Sequence, residues 1–216
     1  TKEGLKSVRF SPGSSQSAHC IFEHIYFSGP DSMIFGEVVH CVRKKLGEAL
    51  ALEHPVKADI VVPIPDSGTS AALGFSHASG IPLEWGVIRN HYVGRTFIQP
   101  LQHIRDLGVK VKFNLLRDVV RGKRVVIVDD SIVRGTTSRI RVKSFREAGA
   151  REVHMRISCP PHKFPCFYGI DFPSKKELLA NRYSTKEIAK FLGADSVGYL
   201  SLKGMLNSVK LPQERY

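Results

Sequence analysis

Apolar residues fall along this chain in two alternating patterns. Short continuous runs rich in β-branched residues, ADIVVPIP (58–65), VVIV (125–128) and EVHMRISCP (152–160), are each bounded by polar or turn-forming residues and predict buried strands. IPLEWGVI (81–88) predicts one more. Between these runs the period lengthens. Ile34, Val38, Val42, Leu46, Ala49 and Leu50 recur at helical spacing and predict a helix over 34–52 with one buried stripe. AALGFSHASG (71–80) predicts a helix that Gly80 terminates, and 137–148 another with Gly149 at its end. Two capping boxes, Ser174 with Glu177 and Ser184 with Glu187, each predict the start of a short helix. SVGYLSL (196–202) fits either a last strand or a connection.

This alternation predicts an α/β fold, a mainly parallel sheet with helices on both faces. Ligands bind such sheets beyond the carboxyl ends of the strands. The polar loops PDSGTS (65–70) and DDSIVRGTTS (129–138) stand at two of those ends and are expected to converge on one site. SPGSSQSAH (11–19) has linker composition, so residues 1–19 read as a lead-in and 20–216 as one domain.

Charge adds a question. The chain carries a formal net charge of +12, and residues 89–124 hold nine Lys or Arg against two Asp. Nucleic acid, a highly phosphorylated small substrate and a merely solvated surface all suit such a patch. Within it, RNHYVGRTFIQPLQHIRDLGVKVKF (89–113) shows no sustained period, and a loop that long in a compact domain is usually functional. No apolar run approaches a membrane span and the first ten residues form no signal region, so a soluble intracellular protein is expected. Cys20, Cys41, Cys159 and Cys166 match no zinc spacing and suggest no secreted disulfide framework. His91 and His103 read as solvated, and Trp85 as packing.

The chemistry concentrates in DDSIVRGTTS. Backbone N–H groups of 134–137, the positive end of a helix dipole and the hydroxyls of Thr136, Thr137 and Ser138 make an anion site, which Gly135 lets a phosphate approach closely. A helix capped by Thr with no ligand is the simpler alternative. Two adjacent carboxylates at the end of a buried strand, Asp129 and Asp130, tilt the balance toward a ligand, because they suit a diol and Mg²⁺. A ribose 5-phosphate satisfies both halves.

VVIVDDSIVRGTTS resembles the phosphoribosyl pyrophosphate signature of type I phosphoribosyltransferases, and its SIVRGTT ending is similar to that of the glutamine phosphoribosylpyrophosphate amidotransferases of purine synthesis. CIFEHIYF (20–27), PDSM (30–33), VPIPDSGTSAALG (62–74), HYVGRTFIQP (91–100) and PCFYGID (165–171) resemble the same family in the same order, over roughly residues 20–204. The resemblance implies the type I phosphoribosyltransferase fold with a flexible catalytic loop. It also implies displacement of pyrophosphate from phosphoribosyl pyrophosphate by ammonia, with Mg²⁺, in the first step of purine synthesis. By resemblance, Asp129 and Asp130 bind the ribose hydroxyls and metal, and Ser67 is a third metal-associated position. Ser131, Arg134, Gly135, Thr136 and Thr137 belong to the 5-phosphate loop. Asp66, Ser67, Gly68 and Thr69 wrap pyrophosphate in a loop that commonly carries a non-proline cis peptide. Arg89, Tyr92, Arg95 and Thr96 belong to a loop that closes over substrate.

Three departures accompany the resemblance. Nothing here matches the family's glutaminase domain, so the chain as given is expected to use free ammonia only. Cys20 and Cys166 match two of the four ligands of an iron–sulfur cluster found in some members, and the C-x-x-C pair would fall beyond Tyr216. Gly29, in SGPDS, stands where Arg is common. The family further implies a homo-oligomeric parent, no nucleic-acid or membrane partner, and a cytoplasmic location, or a plastid stroma if a leader was removed. Two rivals stay open: another type I phosphoribosyltransferase using a nucleobase, and a phosphoribosyl-binding regulator whose basic face meets nucleic acid.

Overall fold

The computed structural model describes residues 4, 8, 13, 18–90, 113–168 and 174–216. In chain order its first half contains β1 (Met33–Ile34), β2 (Glu37–Val38), α1 (Val39–Glu53), β3 (Ile60–Pro63), α2 (Thr69–Ser79) and β4 (Val87–Arg89). There follow β5 (Phe113–Leu115), α3 (Arg117–Val120), β6 (Arg124–Asp129), α4 (Thr136–Glu147), β7 (Glu152–Ile157), α5 (Thr185–Leu192), β8 (Ser196–Tyr199) and α6 (Leu202–Asn207).

The main sheet has the order β3-β6-β7-β8 and is parallel throughout. All four residues of β3, and Val125 to Asp129 of β6, are buried, as both-sided coverage requires. Helices fall into two groups by contact, α1 with α2 and α6, and α4 with α5. From β6 the chain steps through α4 to β7 and through α5 to β8. From β3 it runs through α2 the other way, to a parallel bridge between Leu83 and Val61. Right-handed crossovers therefore put the two helix groups on opposite faces, and the direction of winding reverses between β3 and β6. A reversal point of this kind opens a crevice at the carboxyl edge, where ligands bind.

Several boundaries differ from the sequence expectation. The helix expected from 34 begins at Val39, because Phe35 (φ 50°) and Gly36 (φ 80°) fold residues 33–38 back as a two-stranded ribbon. The apolar spacing of Ile34 and Val38 was compatible with a helix, but a two-residue turn with both φ positive breaks it. IPLEWGVI contributes only the Leu83 bridge and β4, and Trp85, expected to pack, is 51% exposed. Ser184 and Glu187 form the full capping box of α5. At the other box, Ser174 Oγ meets Glu177 Oε1 at 3.2 Å, yet only a turn follows. Glu177 Oε2 instead holds Arg134 at 3.1 Å, and Leu179 N–H bonds Val133 O, which draws this segment onto the loop before α4. SVGYLSL resolves into β8 followed by α6, capped by the Ser201 hydroxyl.

Position of the site depends on how closely α1 and α2 cross. A Cβ on Gly47 would lie 1.8 Å from Ala71 O, and one on Gly74 would lie 1.9 Å from Lys44 O, so each helix backbone rests on the other. Gly47→Ala must push the helices apart, and overpacking of this kind costs about 3 kcal/mol. The urea midpoint of the variant is expected to fall accordingly; an unchanged midpoint would show that the crossing is not tight.

Candidate active site

Strand β6 delivers Asp129 and Asp130 to the reversal point, 3% and 5% exposed. Extended backbone turns them to opposite sides. Asp129 Oδ1 accepts the Asp130 N–H at 3.0 Å, and Oδ2 forms an ion pair with Arg141 of α4. Asp130 accepts the hydroxyls of Ser131 and Ser67. Burial pushes the Asp129 carboxyl up to about 6, opposed by Arg141 and reinforced by Asp130. Burial likewise raises Asp130, opposed by the Ser131 and Ser67 hydroxyls. Nearby Cys159 is buried and its thiol is pushed well up, first by burial and then by Asp130 and Asp129, so it stays protonated.

The loop after β3 lies against the same strand end. A Cβ on Gly68 would sit 2.4 Å from Val128 O and 3.0 Å from Ile64 O, so only glycine permits this approach. The Pro65–Asp66 peptide is cis. Asp66 reaches across to an ion pair with Arg89 at the end of β4. Gly68 also begins α2, whose N-terminus has no side-chain cap. Ser70 is held by His40 Nδ1 at 2.9 Å, tying α2 back to α1.

The N-terminus of α4 is equally open. Its first flanking residue is Gly135, at φ 80°, with no side-chain cap. A helix closed by a Thr cap is therefore not what forms. Gly135 has a second reason to be glycine: a Cβ there would meet Leu179 Cδ2 at 2.7 Å and Phe191 Cε1 at 3.1 Å. Its missing side chain faces packed apolar groups. Thr136 and Thr137 are exposed and Ser138 is buried. Two uncapped helix N-termini, each offering N–H groups and a positive dipole end, thus follow directly from the loops that frame Asp130. A cleft of about 550 Å³ lined by Lys175, Lys176, Asn181 and Arg182 lies along the segment bonded to Val133 and Arg134, and holds no buried acid.

The structure joins Asp66, Ser67, Gly68, Thr69, Asp129, Asp130, Ser131, Gly135 and Arg89 in one connected neighbourhood. Tyr92, Arg95 and Thr96 lie outside the described residues. Arg134 is exposed and paired with Glu177. Sequence reasoning missed two cations. Arg141 sits twelve residues beyond Asp129, and Arg43, buried on α1, bonds His24 O at 2.7 Å and Ser28 O at 2.8 Å while its charge favours ionised Asp130. No periodicity or motif marks either of them.

Asp129, Asp130 and Ser67 present oxygen donors only, the chemistry that suits Mg²⁺, and two desolvated carboxyls welcome a cation. Two acids are enough where the substrate supplies further oxygens. For an iron–sulfur cluster the fit fails among the described residues: Cys20 is exposed, Cys166 half-buried, and no group of three or more His, Cys, Asp or Glu is placed to hold a metal.

Because both carboxyls are raised by burial, the ligand-free chain binds protons here more tightly than its unfolded form. The associated stability is complete below pH 4 and is lost as pH rises through the raised values, about 6 for Asp129. Asp130→Asn mimics the protonated acid. The variant is expected to unfold at higher denaturant than the parent, with the gap wider at pH 8 than at pH 5; a gap independent of pH would refute a burial penalty.

No protein-family model matches the chain. Curated relatives do. Amidophosphoribosyltransferase of Synechocystis sp. is 55% identical over 206 residues, 95% of this chain and 41% of that protein. Amidophosphoribosyltransferase 1, chloroplastic, of Arabidopsis thaliana is 56% identical over 200 residues, 93% of this chain and 35% of that protein. Among solved structures, the glutamine phosphoribosylpyrophosphate amidotransferase of B. subtilis, complexed with ADP and GMP, superposes with a TM-score of 0.82 and 55% identity, covering 95% of this chain and 45% of that one. The chain spans about two fifths of the length of the relatives it matches.

Proposed function

We propose, from the premise that this chain is homologous to part of the amidophosphoribosyltransferases and shares their phosphoribosyltransferase fold, that it binds phosphoribosyl pyrophosphate at the β3–β6 crevice and transfers the phosphoribosyl group to ammonia. The observation that carries the reading is the Ser67–Asp130 bond between the two loops, flanked by the uncapped starts of α2 and α4. One carboxylate pair between two anion-seeking helix ends matches a sugar with phosphate on both sides.

In this reading the N–H groups of 134–137 hold the 5-phosphate, and those of 66–69 hold the pyrophosphate. Asp129 and Asp130 accept hydrogen bonds from the ribose hydroxyls, which fixes C1 toward the incoming amine. The lone pair of ammonia forms the C1–N bond as the C1–O bond to pyrophosphate breaks; pyrophosphate leaves with that electron pair, and the amine then loses a proton to solvent. Unprotonated ammonia is already nucleophilic, so no side chain has to activate it. Held by Asp129, Asp130 and Ser67, Mg²⁺ would offset charge on the departing pyrophosphate. Basic side chains of 89–112 serve the same end, and Arg95 is assigned to the pyrophosphate. Ammonia would come from a glutaminase domain in a longer parent, and from ammonium salts for this chain alone.

The chain is to be incubated with phosphoribosyl pyrophosphate, Mg²⁺ and ammonium above pH 8, and pyrophosphate release measured. Turnover with ammonium but not glutamine is expected. Turnover only with a nucleobase would transfer the chain to another phosphoribosyltransferase, and binding without turnover to a regulator. Arg95→Ala is expected to lower turnover about a hundredfold, the range for losing one group aimed at developing charge. Its melting temperature should not change; equal losses in both would refute the assignment.

A further inference from the structure

Arg141 belongs to no motif, yet it touches both the carboxylate pair and the strand that follows the basic segment. Its Nη1 pairs with Asp129 Oδ2, and its guanidinium carbon stands 5.1 Å from the centroid of the Phe113 ring. Asp129 Oδ1 is meanwhile occupied by the Asp130 N–H. Held at both oxygens, the carboxylate has one orientation, and each oxygen still has lone-pair capacity for a further donor. The Arg141 side chain is 17% exposed, and its Nε has no hydrogen-bond partner among the described residues. This arginine is committed to one ion pair and one ring. Phe113 in turn pairs with Arg89 across the β4–β5 ladder, and Arg89 reaches Asp66. A single rung of that ladder therefore braces both loops of the crevice.

Resting on the phosphoribosyl reading above, the geometry points to Arg141 as a positioning residue that sets the Asp129 carboxylate for the ribose hydroxyls and is itself set by Phe113. The role requires charge and planarity together. An ammonium supplies the first without the ring-matched plane, and a thioether chain supplies neither.

The test is a double-mutant cycle with ammonium as second substrate: Arg141→Met, Arg141→Lys, Asp129→Asn and the Asp129→Asn/Arg141→Met double variant, each measured for KM, kcat and melting temperature. Arg141→Met is expected to raise KM for phosphoribosyl pyrophosphate about tenfold with kcat within about threefold, and to add less than about twofold once Asp129 is Asn. Arg141→Lys should recover most of the lost affinity. An equal KM effect in both backgrounds, or a lowered melting temperature with KM unchanged, overturns the assignment. Should Arg141→Met not fold, Arg141→Lys carries the same cycle, with a KM rise confined to the Asp129 background as the supporting result. If the wild-type chain neither turns over nor binds phosphoribosyl pyrophosphate by calorimetry, the phosphoribosyl reading falls first and this role with it.

Discussion

Two carboxyl groups buried side by side at the end of β6 are the constraint from which the rest of the site follows. Taking an ionised carboxylate out of water costs several kcal/mol unless charge or hydrogen bonds replace the solvent, and two in contact cost more. The chain divides the problem. Asp129 receives a cation from α4, whereas Asp130 receives hydroxyls from Ser131 and Ser67 with the charge of Arg43 behind them. Neither arrangement removes the penalty, since both groups remain raised. What remains favours any ligand that brings donors or a cation, so the strain of the empty site becomes affinity when it is filled.

The sheet decides where that penalty is placed. A carboxylate pair within the strands would face α1 and α2 on one side or α4 and α5 on the other, with no opening for a ligand. At the reversal of winding between β3 and β6, the helices diverge and both neighbouring loops end in helix N-termini. Close crossing at Gly47 and Gly74 holds α2 in place, and the contact of Gly68 with Val128 O sets its first turn against β6. Packing far from the ligand thus sets the aim of the backbone N–H groups near it.

Much of this was legible in the order of residues. Buried parallel strands announce themselves as short β-branched runs, and VVIVDD and IVVPIPDS place polar loops at their carboxyl ends without ambiguity. Local signals failed where a distant group outbid them. Ile34 and Val38 kept helical spacing, but the turn at Phe35 and Gly36 took precedence. Ser174 and Glu177 had the capping spacing, but Arg134 claims one Glu177 oxygen. Gly135 read as room for phosphate, while its bare Cα faces Leu179 and Phe191. Arg43 and Arg141 were invisible because nothing within a turn of either one requires a cation; the requirement arises from carboxylates that only the fold brings near.

The ladder between β4 and β5 shows why a positioning contact belongs on α4 rather than in the ligand loops. Each loop is short and glycine-containing, chosen for backbone approach, and has little side-chain mass with which to fix a carboxylate. The rung Arg89–Phe113 is rigid by comparison, paired by backbone hydrogen bonds and set beside the crevice. Through Arg89 it reaches the loop after β3, and through Phe113 and Arg141 it reaches the end of β6. Residues 90–112 leave and return at this rung, so whatever arrangement they take is anchored to the same two acids, Asp66 and Asp129. A shift of the rung would therefore be felt at the pyrophosphate side and the ribose side together, which a contact confined to either loop could not achieve.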